Sequence, residues 1–550
     1  MFENLSLYET VRLSAKRFPK NLAIYYQEKK IKFPALLKRI DRMADILSNS
    51  LGVKERDVVI VAQPNIPDAI VLIYALNKIG AVVNLVHPFT PYNQMISIIS
   101  KTKTKLAFLF EQPVAKEVDK YREIADRVII TRVEDDLPLV KKVIYHSFMN
   151  KKIAEKLGRY RSYFPGFTYL RDLKPTGKST PTVSSEPGKV SVLLHSGSTT
   201  GAPKTICLSD ANFNFITERC EKFIGKKQSD LKAKGMLSVL PSFHGFGFCM
   251  TMHAPLAIGC GSILIPKYSA KAVCDAMNHT RVGLMCGVPT MYDNLISSEK
   301  FKKNKHLKDL YICWCGGDYL PSVTQQRFND LMAKNGSKCQ LFEGYGLTEA
   351  IAVNVVNNFE LHREGALGHA IPDVDVKIVD ENGQEVKRGE IGEIAIHSGA
   401  AMVCYYDNPE ATTQALRDGW IFTGDLGYMD EDDFVFFKQR KKRVIKVSGV
   451  GVFPTEIENL VSHIPYVKAC CAIEIPDDRL QHAVKLFVVA DFFDEQGMKE
   501  TIIDKCRKYL IRWAVPKEIE FIDELPKTLL GKIDFKVLQA AEDEKRGVTR

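Results

Sequence analysis

A chain of 550 residues, 45% hydrophobic and 26% charged, is too long for one ordinary core and too evenly composed for a disordered or fibrous protein, so two or more globular domains are expected. The formal net charge of +10 reads as a solvated basic surface, with attraction to polyanionic substrates or an anionic surface as the alternative. Thirteen cysteines include Cys313-Trp-Cys315 and Cys470-Cys471 but no Cys-x-x-Cys pair, which argues against a zinc ribbon or disulfide framework and for a reducing, cytoplasmic setting.

The opening Met1-Phe-Glu-Asn4 soon turns charged and lacks the basic start and apolar run of a signal peptide. The first 170 residues alternate apolar runs with amphipathic segments, as an α/β layered domain does. Val58 to Ala62 predicts a buried strand and Ala81 to Val86 the next one. Between them Ile66 to Ile79 predicts a helix with Ala69, Ile70, Ile73, Leu76 and Ile79 on one face. These apolar stretches stop well short of membrane-spanning length. A basic segment then sets Lys141, Lys142, Lys151, Lys152, Lys156, Arg159 and Arg161 against Glu155 alone. Leu139, Val140, Val143, Ile144, Phe148 and Ile153 interleave with it. Because its apolar face is short, a plain surface helix is expected, with a membrane-facing one as the alternative. At most peripheral membrane contact follows, and no motif supports a nucleic-acid partner.

Lys174 to Lys189 is rich in Pro, Thr, Ser, Gly and Lys and reads as a loop. Within it Gly177-Lys-Ser-Thr180 imitates the tail of a Walker loop, but Asp172 stands where the first glycine belongs and no strand leads in. Val190 to Leu194 is a strand that delivers a glycine loop. Near Phe437-Lys-Gln-Arg-Lys-Lys-Arg443 the composition shifts, and a hinge is expected in this basic run. Pro454-Thr-Glu-Ile-Glu458 opens a helix with Ile457, Leu460, Val461 and Ile464 on one face. Strands at Ala469 to Ile475 and Ala483 to Ala490, a helix from about Lys499 and a strand at Glu518 to Ile522 complete a compact α+β unit of roughly 110 residues.

Four segments carry chemistry. His195-Ser-Gly-Ser-Thr-Thr-Gly-Ala-Pro-Lys-Thr205 has the ingredients of a phosphate cradle: glycines turn N–H groups inward, hydroxyls donate, and Lys204 supplies a point charge. Phe342-Glu-Gly-Tyr-Gly-Leu-Thr-Glu349 sets an aromatic, a hydroxyl and a carboxylate around glycines, fit for a base, a phosphate and Mg²⁺ respectively. Gly419-Trp-Ile-Phe-Thr-Gly-Asp425 puts an acid in a turn, where it can bind the hydroxyls of a ribose. Leu525-Pro-Lys-Thr-Leu-Leu-Gly-Lys-Ile533 brings a second cation, Lys532. Two lysines more than three hundred residues apart, each just after a glycine-bearing loop, suggest a polyanion handled between two domains.

In this order the set resembles the adenylate-forming superfamily of acyl-CoA synthetases, peptide-synthetase adenylation domains and firefly-type luciferases. The resemblance covers nearly the whole chain and includes Gly80 to Pro88, Pro241-Ser-Phe-His-Gly-Phe-Gly247, Gly287-Val-Pro-Thr290, Gly316-Gly-Asp318, Tyr405 to Thr412 and Ile445-Lys-Val-Ser-Gly449. It implies an α/β fold with a large layered N-terminal domain, placed at 1–439, and a small mobile α+β domain, placed at 440–550 with its hinge near Arg443. It further implies that a carboxylate attacks Mg·ATP to give an acyl-adenylate, from which a thiol displaces AMP. By position, Ser196, Gly197, Ser198, Thr199, Thr200, Gly201 and Lys204 would cradle phosphates. Gly316, Gly317, Asp318, Tyr345 and Gly346 would border the nucleotide, Thr348 would contact phosphate, and Glu349 would hold magnesium. Asp425 and Arg440 would bind the ribose, and Lys532 would reach in from the small domain to neutralise the reacting groups. Lys446, Ser448 and Gly449 would line the thiol channel after that domain swings. The chain departs from the family at Thr205, where a glycine usually follows the loop lysine, and at Arg443, where the hinge residue is usually Asp or Lys.

Amino-acid-activating relatives resemble one another in a Phe-Asp pair that holds the substrate ammonium; this chain has Phe243-His244 there. A neutral His244 beside aromatics and small residues suits an uncharged acyl or aryl body. The run from Met250 to Pro266 reads as core packing. A medium- or long-chain fatty acid is the expected substrate, an aryl acid the second. ATP, Mg²⁺ and CoA are the expected cofactors and co-substrates, with a carrier-protein pantetheine as the alternative acceptor and a nucleotide-binding regulator as the non-enzyme alternative.

Overall fold

The structure is a computed structural model that describes every residue except 1, 3, 146, 148–163, 197–203, 226–233, 492–493, 528–532 and 549–550. Two large sheets dominate residues up to about 405. One has eight strands; its centre is Val58–Ala62 flanked by Val82–Leu85 and Leu106–Phe110, all parallel, with Val190–His195 parallel beside Val82–Leu85. The other has nine strands, and Gly235–Ser238, Val282–Gly287, Ile312–Cys315 and Gln340–Tyr345 run parallel through its middle. Parallel strands covered on both faces are apolar throughout, and Leu106–Phe110 and Val282–Gly287 are buried at every position.

The expected strand at Val58 is present over Val58–Ala62, and the helix that follows is Pro67–Lys78, entered through a proline in its first turn. The sequence gives that helix one apolar face. In the structure Pro67 and all residues from Ala69 to Lys78 are buried, because the helix packs against the N-terminal helices Leu7–Arg17 and Phe33–Asp45 as well as the sheet. Lys78 tolerates this burial by pairing with Asp41 at 2.6 Å. The cysteines serve the same interior: all thirteen are free thiols, and every one but the half-buried Cys404 is buried.

A five-stranded antiparallel sheet follows, built on Val374–Val379, Gly392–Ser398, Trp420–Met429 and Val435–Arg440. The short turn Lys441–Arg443 leads out of its last strand. From Ile445 onward the buried side chains form separate cores, one of them joining Ile445, Ile457, Val461, Leu486 and Ile502. Strands Val467–Asp477, Gln481–Ala490 and Glu518–Phe521 make its sheet, close to where the sequence places them. The helix expected from about Lys499 starts earlier, at Glu495, because the Asp494 side chain accepts the N–H of Gln496 and caps it there. Among the described residues no helix is long and apolar enough to cross a membrane.

Candidate functional site

Residues of three chemistry-bearing segments emerge at the carboxyl ends of parallel strands. Gly316-Gly-Asp318 follows Ile312–Cys315, Tyr345 ends Gln340–Tyr345 and leads to Thr348-Glu349, and Ser196 follows Val190–His195. Carboxyl ends of strands in open α/β sheets are where ligands bind, since loops there can diverge and leave a crevice.

The glycine loop is the tip of a hairpin, because Val190–His195 returns antiparallel as Thr205–Ser209. Its ends are tied twice: Ser196 N–H donates to the Lys204 carbonyl at 2.9 Å, and Lys204 N–H donates to Ser196 Oγ at 3.0 Å. His195 braces the base, with Nε2 2.7 Å from Asn84 Oδ1 and Nδ1 3.3 Å from Thr205 Oγ1. Burial lowers the His195 pKa to about 4, so its ring is neutral near pH 7. Gly197, Ser198, Thr199, Thr200 and Gly201 lie outside the described residues, as does Lys532.

Lys204 itself is exposed, and its Nζ stands 4.4 Å from the ring centre of Tyr405. The Tyr405 hydroxyl donates to Glu349 Oε1 at 2.8 Å. Tyr405 reaches this place because Cys404–Tyr405 pairs antiparallel with Thr205–Ser209. Its own N–H donates to Thr412 Oγ1 at 2.9 Å, on a helix capped by Asn408. Sequence reasoning gave Tyr405 no role; the signal lay in the Tyr405-to-Thr412 spacing, whose meaning needs the strand pairing to be seen.

Glu349 sits in a one-turn 3-10 helix, Thr348–Ala350, and not at the start of a longer helix. Directly after it Ile351 has φ +67° and ψ −67°, and Ala352 N–H donates to the Ala350 carbonyl at 2.8 Å. This is a γ-turn, a strained conformation for a β-branched residue. Two glycines make room for it. A β-carbon on Gly346 would fall 1.4 Å from the Ala352 carbonyl oxygen, and one on Gly245 would fall 1.8 Å from that of Ile351.

On the other side, the Tyr345 hydroxyl donates to Asp425 Oδ2 at 2.7 Å, and Arg440 Nε lies 3.2 Å from Asp425 Oδ1. The sequence places Asp425 in a turn; the structure corrects this. Asp425 lies within the ten-residue strand Trp420–Met429, directly opposite Arg440 on the neighbouring strand. The pairing with Gly392–Ser398 is irregular there, and Gly424 takes φ +72°. Such a bulge re-aims the side chain that follows it. Asp425 is buried, and its charge is the main reason the Arg440 pKa is raised.

His244 lies between the strand Gly235–Ser238 and the helical segment Phe246–His253, which Phe246 opens. The Phe246 ring lies under Gly316, where an added β-carbon would meet it at 3.3 Å. Phe243 stacks edge-on against His87 at 4.6 Å and lies 5.3 Å from the His244 ring. Most of Met250 to Pro266 is buried, as core packing predicts. Ser448 and Gly449, with φ +49° and +79°, form the exposed two-residue hairpin turn between Ile445–Val447 and Val450–Val452, and Lys446 is exposed on the first of these strands.

Among the described residues no group of three or more His, Cys, Asp or Glu could hold a metal by itself. One half-buried carboxylate, Glu349, with Oε1 held by Tyr405, fits a cation that takes the rest of its ligands from substrate phosphates and water, as Mg²⁺ does.

Residues 11–406 match the family described as AMP-binding enzyme, and residues 456–532 match its C-terminal domain. The long-chain-fatty-acid–CoA ligase of Bacillus subtilis (strain 168) is 30% identical over 549 residues, which is 98% of this chain and 95% of that ligase. The ligase of the same description from Haemophilus influenzae (strain ATCC 51907 / DSM 11121 / KW20 / Rd) is 28% identical, over 99% and 97% of the two chains. Among solved structures, the anthranilate CoA ligase AuaEII in complex with anthranoyl-AMP superposes with a TM-score of 0.85 at 19% identity, over 100% of this chain and 99% of that one. ATP-bound MatB from Rhodopseudomonas palustris superposes with a TM-score of 0.81 at 22% identity, over 97% and 99%. At these identities the structural likeness establishes the fold.

Proposed function

Because this chain belongs to the family of AMP-binding enzymes, we propose that it is an AMP-forming ligase that activates a carboxylic acid with ATP and passes the acyl group to coenzyme A. The observation that carries the reading is one chain of contacts, Lys204 to Tyr405 to Glu349 on one side of residues 345–349 and Tyr345 to Asp425 to Arg440 on the other. It sets two cations and two anions on the two sides of residues 345–349.

In the first step a carboxylate oxygen attacks the α-phosphorus of ATP, and pyrophosphate leaves with the electrons of the broken P–O bond. Lys204 and the loop it closes receive the departing charge, with Thr348 beside them. Asp425 and Arg440 hold the ribose, and Gly316, Gly317, Asp318, Tyr345 and Gly346 border the adenosine. Glu349 would hold Mg²⁺, which when bound would supply charge neutralisation for the phosphates. In the second step the CoA thiol attacks the acyl carbon and AMP leaves. Lys532 serves the first step, and Lys446, Ser448 and Gly449 line the approach of the thiol in the second. The two domains are divided at 439/440, with Arg443 as pivot. The strand Val435–Arg440 ends one residue beyond that division, and the separate small core begins at Ile445, so a break in this stretch is what the packing supports.

The acid is a medium- or long-chain fatty acid, and the reaction is cytoplasmic. What supports the substrate is the description of the relatives that span the whole chain, together with the Phe246 ring at Gly316, the adjoining His87, Phe243 and His244 rings, and the lack of a carboxylate at His244. The test is acid-dependent ATP–pyrophosphate exchange on palmitate, octanoate, benzoate and an amino acid. Exchange on palmitate or octanoate is expected; exchange confined to benzoate moves the reading to aryl acids, and exchange confined to the amino acid overturns it.

A further inference from the structure

Cys207 and Cys404 stand directly opposite each other on neighbouring antiparallel strands, Thr205–Ser209 and Cys404–Tyr405. Opposed Cα atoms in such a pair lie about 4.5–5.5 Å apart, inside the span of about 4.4–6.8 Å across which two cysteines can be bridged. Both side chains fall on one face of the eight-stranded sheet, since successive residues of a strand alternate. There Val82, Leu193 and Cys207 form a small apolar cluster, with Val403, Cys404 and Tyr406 half-buried against it. The two thiols meet inside it: burial first, and the Cys404 thiol second, raise the Cys207 pKa.

Cys404 is also the one cysteine of the thirteen that is not buried. A second close pair shows why that matters. The sulfurs of Cys313 and Cys339 approach to 3.5 Å, but both residues are buried in the main core, out of reach of a dissolved oxidant. The opposite face of the Cys207 and Cys404 strands carries the site. Ile206 and Tyr405 pack there into the main core, and the Tyr405 hydroxyl holds Glu349 Oε1. Met402 N–H donates to the Glu349 carbonyl at 2.7 Å, while Val403 and Tyr406 N–H donate to the Cys207 and Thr205 carbonyls at 2.9 and 2.8 Å. Residues 402–406 are thus a strap, fastened to Glu349 on one side and to the strand after Lys204 on the other. Cys404–Tyr405 is the outermost strand of its sheet, so no further strand holds it in place.

We propose that Cys207 and Cys404 form a reversible disulfide site whose closure weakens Mg·ATP binding. The Cys404 sulfur attacks one oxygen of hydrogen peroxide, the O–O bond breaks, and the other oxygen departs as water with the thiol proton, leaving a sulfenic acid. The Cys207 sulfur then attacks the Cys404 sulfur, the S–O bond breaks, and the departing hydroxide takes the Cys207 proton as a second water. The two sulfurs lose two electrons, which the peroxide gains. Closing the bond draws the opposed β-carbons from about 4.5–5.5 Å to about 3.5–4.5 Å, and Tyr405 beside it shifts against Glu349. In reducing surroundings the bond is transient. The thiol chemistry stands on the geometry of the pair, and its effect on the nucleotide rests on the function proposed above.

The test is limited hydrogen peroxide treatment of the reduced full chain, followed by non-reducing peptide mapping and calorimetric titration of Mg·ATP. The expected result is a Cys207–Cys404 cross-linked peptide and a Kd for Mg·ATP raised by about threefold or more, both reversed by dithiothreitol. Cys404→Ser should bind Mg·ATP as the reduced wild type does and keep that affinity after peroxide. Cys207→Ala still presents Cys404 to peroxide but offers it no partner, so its affinity should also hold. Weakened binding there would assign the effect to oxidation of Cys404 alone and overturn the disulfide. The proposal is equally overturned if no cross-link forms, if the cross-link joins other cysteines, or if the cross-linked chain binds Mg·ATP as tightly as the reduced one. A reduced chain that binds no Mg·ATP would instead overturn the function proposed above, and the peptide map would still decide the thiol site.

Discussion

One phenolic hydroxyl fixes the Glu349 carboxylate. Tyr405 donates to one of its oxygens at 2.8 Å and offers the face of the same ring to Lys204 at 4.4 Å. It thus joins Lys204, at the end of the glycine loop, to the acid that would hold magnesium. Tyr405→Phe keeps the ring and the stacked lysine and deletes only the hydrogen bond. Such bonds to a charged group are worth about 1.5–3 kcal/mol, so the Mg²⁺ concentration for half-maximal Mg·ATP binding should rise by about tenfold or more. Calorimetric titration of ATP at stepped Mg²⁺ reads this without turnover. An unchanged Mg²⁺ requirement would reduce Tyr405 to a packing residue. The hydroxyl's own pKa is raised, first by burial and then by the Glu349 charge, so it remains a donor throughout the working range. The sequence singles out Glu349 and Lys204, because their motifs name a charge and a place, and the structure joins them through one ring. Tyr405 was not legible, because its role exists only once Cys404–Tyr405 is paired beside Lys204.

At the scale of elements, the strand Gln340–Tyr345 and the turn after it carry most of the site. The γ-turn at Ile351 is accommodated by Gly245 from the His244 segment and by Gly346. Gly245→Ala would drive a β-carbon into a backbone oxygen that has no rotamer to escape through. Overpacking of this kind costs about 1–3 kcal/mol or more. The variant should melt earlier and bind Mg·ATP more weakly, because the turn that aims Glu349 must shift. A melt and a nucleotide affinity equal to those of wild type would show that the turn yields freely.

The same strand holds Glu343, whose pKa burial pushes up to about 8, with the nearby Asp318 charge adding to the rise, although the Leu320 N–H works against it. A carboxyl with its folded pKa above the unfolded value binds a proton that the unfolded chain releases. Its cost to stability is absent below about pH 4.5 and grows as pH rises toward about 8. Glu343→Gln keeps an acceptor for Leu320 and cannot ionise. The variant should therefore gain on the order of a few kcal/mol over wild type near pH 8 and nothing near pH 4.5. Denaturant unfolding at both ends of that window checks it; parallel stability curves would contradict it. Strands and helices were legible wherever a single layer decided them, as at Val58–Ala62 or Pro454–Ser462. Asp425 was misread because a bulge in a long strand leaves the same Thr-Gly-Asp signature as a turn. The all-round burial of Pro67–Lys78 was missed because periodicity reports a face only when another face meets water.

For the whole molecule, the proposed chemistry divides its two half-reactions between different groups. Lys532→Ala should lower acyl-adenylate formation by about 10²–10³-fold, the usual effect of removing one positioned cation from a phosphoryl transition state. It should leave thioester formation from supplied acyl-adenylate largely intact. Equal losses in the two half-reactions, measured separately, would reject the assignment. Arg443 fits a pivot in its surroundings: it pairs with Glu458 and stands 4.8 Å from the Phe535 ring, both beyond the turn Lys441–Arg443. The sequence places the hinge in the basic run between Phe437 and Arg443, whereas the sheet membership of Arg440 needed its register with Asp425 to be seen.

The most direct test of the central claim is product stoichiometry. The purified chain is incubated with palmitate, ATP, Mg²⁺ and CoA, and palmitoyl-CoA, AMP, ADP, pyrophosphate and phosphate are quantified together. The account predicts one AMP and one pyrophosphate for each thioester formed, with AMP release dependent on CoA after the first turnover. Formation of ADP and phosphate with the thioester, or of AMP without any thioester, would contradict it.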